Sequence, residues 1–159
     1  MGMESFFIII LPDGISHKKE NDINIYEGNS NLTLDIFKHM LSDIPYKFHI
    51  NNENEINIDN KYLIKLEVEN NKIKTIEIES CLYYLMNDDD ILKGLLLHIN
   101  KLCLKLFHPS IGYFENVIDY LSNLKIYYKT KYDNFLYKYE YLFKNKNILP
   151  GNNFYKYIK

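Results

Sequence analysis

The residues able to do chemistry are few and scattered. Asp88-Asp89-Asp90 is the densest carboxylate group, and clustered carboxylates can hold a hard cation such as magnesium. Adjacent side chains point different ways, however, and no other Asp/Glu cluster stands at a matching spacing. Acids at a helix start also serve capping and the helix dipole. His98 and Cys103 fall on different faces of a helix at about 100° per residue, so they do not form a nucleophile–base pair. His39 and His49 flank Pro45 without a motif, and His108 precedes Pro109 where a helix is expected to end. Cys81 sits in an apolar strand pattern and reads as a small core residue. The six glycines build no phosphate-binding loop, and no hydrolase or zinc-protease motif occurs. The expectation is a protein that is not an enzyme and uses neither metal nor cofactor.

Charge is more informative. Residues 1–120 carry 11 Lys and 19 carboxylates, a net of −8, whereas 121–159 carry 8 Lys and 2 carboxylates, a net of +6. The total of −2 hides this split. In the basic third, Lys125, Lys129, Lys131, Lys138, Lys144 and Lys146 interleave with Tyr127, Tyr128, Tyr132, Tyr137, Tyr139 and Tyr141. Basic and aromatic side chains together suit single-stranded nucleic acid, by phosphate attraction and base stacking. They also suit an anionic membrane surface, or a protein partner for which Tyr supplies contact area. A core-packed helix with a solvated Lys face is the structural alternative. The chain has no Arg, which counts against nucleic acid and against bidentate phosphate recognition.

The composition sets the setting. Ile, Leu, Asn, Lys, Tyr and Phe supply 105 of 159 residues, a skew that codon bias in an AT-rich genome explains. Two cysteines form no disulfide or metal framework, so a reducing, cytoplasmic compartment is expected. Phe6–Leu11 is too short to span a bilayer and lacks signal-peptide flanks. Met1-Gly2 is not followed by the Ser or Thr that myristoylation needs at position 6, so any membrane contact is expected to be peripheral.

The elements that must position these residues follow from periodicity. Phe6–Leu11, ended by Pro12-Asp13-Gly14, reads as a strand buried on both faces. Ile23–Tyr26 reads as a second strand, hairpin-paired with the first. Leu34, Phe37, Leu41 and Ile44 step as a helix that Pro45 closes, with Ser30 or Asn31 as its cap. Phe48/Ile50 and Ile56/Ile58 suggest short edge strands. Tyr62–Val68 and Ile73–Met86 form a hairpin about Asn70-Asn71. Ile91 to Leu106 is a wide apolar helical stripe. A last helical pattern runs from Phe114 to Leu142, roughly 43 Å if unbroken. The expected architecture is α+β: a five-stranded, mainly antiparallel sheet with helices on both faces and a long C-terminal helix. Residues 1–124 form the domain, and 125–159 a basic, Tyr-rich helical extension packed on it or projecting from it.

The order strand, strand, helix, three strands, helix, helix resembles the longin fold. Phe6-Phe7-Ile8-Ile9-Ile10-Leu11-Pro12-Asp13-Gly14 is similar to that fold's opening strand and turn. Leu97–Leu102, Phe107 and Phe114–Leu121 resemble its closing helices, preceded by Asp88-Asp89-Asp90. The resemblance is to sedlin-type tethering subunits and the sigma subunits of clathrin adaptors. It implies a small, non-catalytic subunit that docks on proteins in vesicle tethering or coat formation. Among the residues of the last helix, Tyr128, Tyr132, Phe135, Tyr139, Lys125 and Lys129 are the candidate partner-binding set. A nucleic-acid-binding accessory protein using the same segment is the alternative.

Overall fold

In a computed structural model, residues 5–102 and 104–140 are described. Nine strands and four helices alternate along them: β1 (Ser5–Leu11), β2 (Ile15–Glu20), β3 (Ile23–Gly28), α1 (Leu34–Ser42), β4 (Phe48–Asn52), β5 (Glu55–Ile58), β6 (Tyr62–Glu69), β7 (Lys72–Cys81), α2 (Leu82–Asn87), α3 (Asp90–Asn100), β8 (Lys105–His108), β9 (Gly112–Phe114) and α4 (Val117–Lys138).

Seven strands form one sheet in the order β4-β5-β6-β7-β1-β8-β9, and β2 pairs with β3 in a separate two-stranded sheet. Every pairing is antiparallel. The expectation of a five-stranded sheet is therefore corrected. Two of the extra strands, β8 and β9, lie where helical spacing was read through Leu106 and from Phe114. Leu102 and Leu106 fit a helical period, but α3 ends at Asn100 and Leu106 enters a strand. Ile23–Tyr26 pairs with β2, not with β1, whose second neighbour is β8. Leu82–Asn87 is helical rather than a continuation of its strand.

The side-chain period of two sorts the sheet faces. A ladder of directly paired isoleucines, Ile8–Ile78–Ile64–Ile56–Ile50, crosses five strands on one face. Its first four members are fully buried. Buried residues of all four helices join Ile8, Ile10, Ile64 and Ile78 in the main core. The opposite face carries a smaller cluster of Ile9, Leu11, Ile15 and Phe107, with Phe7 and Tyr26 against it, where the β2–β3 hairpin covers β1 and β8. Farther along, this face turns charged, with Glu77 and Lys65 directly opposed and Lys65 paired to Glu79 at 3.1 Å. Among the described residues helices therefore cover one face only, correcting the expectation of both.

Turns are set by left-handed residues. Asn70-Asn71 has positive φ at both positions, as expected for a two-residue hairpin. Asn21-Asp22 does the same between β2 and β3. At the base of that hairpin, Gly28 (φ 122°) lies so close to the Gly14 carbonyl that a Cβ would collide with it. The cap of α1 is Thr33, whose Oγ1 accepts from Ile36 N–H at 3.2 Å, while Ser30 Oγ accepts from Leu32 N–H. No helix among the described residues is long and apolar enough to cross a membrane.

Candidate functional site

The candidate residues all lie on or just after α4, so the site is built from that helix. Asn116 starts it: its Oδ1 accepts from the N–H groups of Ile118 and Asp119 at 2.8 and 3.2 Å. Twenty-two residues then extend about 33 Å. Val117, Tyr120, Leu121, Leu124 and Tyr128 recur at helical spacing and are buried in the main core.

Tyr128 is the centre of a buried hydrogen-bond chain. Ser110 N–H donates to His108 Nδ1 at 3.1 Å, which fixes the tautomer and leaves the proton on Nε2. Nε2–H then donates to Tyr128 Oη at 3.0 Å, and Tyr128 O–H donates to the Phe7 carbonyl at 3.1 Å. The register Ile9–Phe107 would set Phe7 opposite Pro109, which has no N–H to give. The Tyr128 hydroxyl thus supplies the donor that the strand cannot. The His108 ring stacks on Phe7, with centroids 5.0 Å apart. Burial lowers its pKa from 6.5 to about 4, so the imidazole is neutral at pH 7. Burial likewise pushes the Tyr128 phenol up to about 12. This is an anchor holding α4 to β1 and β8, with every polar atom directed at a neighbour inside the chain.

The other candidate residues divide. Phe135 is fully buried, and its ring lies 5.5 Å from Tyr139. Tyr132 is half-buried, and its hydroxyl accepts from Asn87 Nδ2 at 2.6 Å. Lys125 reaches across to Asp89 at 2.7 Å, and Lys129 pairs with Asp133 one turn along at 3.0 Å. Lys131 donates to the Ser5 carbonyl at 2.6 Å, and burial lowers its pKa. Lys138 lies over the Tyr139 ring at 5.4 Å. Tyr141, Leu142, Lys144, Lys146, Cys103 and Met1-Gly2 lie outside the described residues.

The acidic run is accounted for by the same contacts. Asp89 pairs with Lys125, and Asp88 with Lys61 at 3.6 Å. Asp89 occupies the N-cap position of α3 without a side-chain capping bond, and Asp90 lies in the first turn. Among the described residues no group of His, Cys, Asp and Glu could hold a metal ion. An open hollow of about 450 Å³ beside β9 is lined by Lys105, Tyr113, Phe114 and Glu115. Two of its polar groups have intramolecular partners: Lys105 Nζ donates to Ile15 O, and Tyr113 Oη accepts from His17 N–H.

The outward face of α4 holds residues that the candidate set omitted. Ile126 is 73% exposed and Tyr137 83%, with Ile118 and Tyr127 also exposed. Their signal in the sequence was the complement of the buried stripe: they fall between its members. A second exposed apolar pair, Phe48 and Ile50, lies on β4 at the sheet edge. No protein-family model, curated protein or solved structure matches this chain.

Proposed function

We propose that this chain is a non-catalytic docking subunit of the cytoplasm that binds a protein partner through the outward face of α4. The observation that carries this is the division of that helix. Its inner face is fixed by core packing and the Tyr128–His108 anchor, and its outer face leaves Ile126 and Tyr137 in water. Those two lie three turns apart, within about 20° of one line along the helix. A rigid helix with aligned apolar side chains suits insertion into a partner's groove. The assembly we propose is one of vesicle tethering or coat formation, on the resemblance in element order alone.

Nucleic acid is the less favoured reading. It needs free cationic groups along the helix, and the amines of Lys125, Lys129 and Lys131 are engaged within the chain. The test is affinity purification of the full chain from its native cell, wild type beside Ile126→Glu/Tyr137→Ser. The reading expects a stoichiometric protein partner that the double variant loses while keeping wild-type thermal stability. A steeply salt-dependent gel shift, lost on Lys→Glu changes at positions 125, 129 and 131, would favour nucleic acid instead.

A further inference from the structure

The free edge of the large sheet is independent of α4 and has its own logic. Among the described residues β4 pairs with β5 on one side only, and all five of its residues are exposed. Exposed edges in natural sheets are commonly guarded by Lys, Pro or other charges. Phe48-His49-Ile50-Asn51-Asn52 contains none of these. We propose that this edge pairs with itself: two copies join β4 to β4, antiparallel, about a two-fold axis through His49.

The backbone sets which groups are available. Asp59 N–H donates to the Lys47 carbonyl at 2.7 Å, and Phe48 is directly opposite Ile58. In an antiparallel ladder that bond brackets a widely spaced pair. The N–H and C=O of Phe48, and two residues on those of Ile50, therefore point away from β5. An axis through His49 sets Phe48 opposite Ile50 of the second copy, and the reverse, so each such pair exchanges both of its backbone bonds. The irregularity in β4 lies between Ile50 and Asn52, beyond this stretch.

The side chains fit the same register. Phe48 (39% exposed) and Ile50 (43%) point to the helix-bearing face. Paired this way they carry the isoleucine ladder out of one sheet and into the next, with Ile58 of the second copy following Phe48 of that copy. The axis stands normal to the sheet, so the helices of both copies stay on one side. Backbone bonding groups and apolar side chains are thus both self-complementary under a single two-fold operation, which is what an isologous contact requires.

Sedimentation velocity of the full chain, over a range from roughly one to a few hundred micromolar, tests this; a short strand contact belongs to the weak end of interfaces. The expected result is a concentration-dependent dimer that Ile50→Pro abolishes while the monomer still unfolds cooperatively, because the deleted N–H serves no bond to β5 and only the half-exposed Ile50 side chain is lost. Register is tested separately with Cys103→Ser as background. His49→Cys should form a disulfide-linked dimer on mild oxidation about tenfold faster than Asn51→Cys, whose two copies would lie roughly 13 Å apart. A wild type monomeric throughout, a dimer that survives Ile50→Pro, or faster cross-linking at Asn51→Cys would overturn the proposal. None of these would bear on partner binding by α4.

Discussion

Tyr128→Phe removes a single oxygen from the middle of the anchor and tests whether α4 is held as described. Three groups lose a partner: the Phe7 N–H, whose acceptor lay at 3.4 Å, and the two on the shorter bonds. The Phe7 carbonyl loses the donor at 3.1 Å, and the buried His108 Nε2–H loses the acceptor at 3.0 Å. Leaving a buried polar group unsatisfied costs about 1–3 kcal/mol, so the two on the shorter bonds together cost about 2–6 kcal/mol. That is a large share of the roughly 5–15 kcal/mol by which domains of this size are stable. Urea unfolding followed by circular dichroism reads it directly. At a slope of about 2 kcal/mol per molar, the midpoint should fall by about 1–3 M with the slope unchanged. Tyr127→Phe is the control: its hydroxyl donates to Ser110 Oγ in an exposed setting, and its loss should cost under about 0.5 kcal/mol. In the double variant with His108→Phe, the total cost should be less than the sum of the two single changes, since both partners are then apolar. A Tyr128→Phe loss no larger than that of Tyr127→Phe would refute the anchor.

The same ring gives a pH prediction. The unfolded chain takes up a proton near pH 6.5 that native His108 refuses until about 4. Stability should therefore decline as pH falls through that window, by up to about 3 kcal/mol, and His108→Phe should remove that part of the decline in paired urea titrations. Gly28→Ala should destabilise the protein by more than about 1 kcal/mol in thermal unfolding, because φ is positive there and the Gly14 carbonyl occupies the space. Truncation after Leu124 should abolish cooperative unfolding, since it deletes Tyr128 from the core and the anchor together; a fully stable truncated chain would count against α4 as a core element. Lys125→Ala should cost only about 0.5–1 kcal/mol, because its pair with Asp89 is partly exposed.

Legibility in the sequence followed the strength of the periodicity. The β6–β7 hairpin was readable because Tyr62–Val68 alternates and Asn70-Asn71 supplies the left-handed turn. α1 was readable from Phe37, Leu41 and Pro45, although its cap is Thr33. The β4 and β5 pair showed in its alternating residues. β2 was not, since Ile15-Ser16-His17-Lys18-Lys19-Glu20 has one apolar residue and no alternation. Its available signal was Asn21-Asp22, a two-residue turn of the same kind as Asn70-Asn71. β8 was hidden because Leu102 and Leu106 stand four apart, which suits a helix as well as a chance spacing of two elements. For the candidate site, the sequence placed the candidate residues along one helical segment but weighted its aromatic residues alike. Tyr128, Tyr132 and Tyr137 are one residue type in three settings: buried, half-buried and 83% exposed. Which of them faces the sheet depends on helix phase, and phase is set by contacts with β1, β8 and α2 that are distant in the chain.

We propose the outward face of α4 as the docking surface, with its inward face part of the fold. A photo-reactive amino acid placed at Ile126 or at Leu124 of the full chain, and activated in the native cell, separates the two faces most directly. A discrete adduct with one partner protein is expected from position 126, reproduced from position 137, and none from 124, which is fully buried. Equal labelling of several unrelated proteins from 126, or no adduct from either 126 or 137 at full expression, would contradict it.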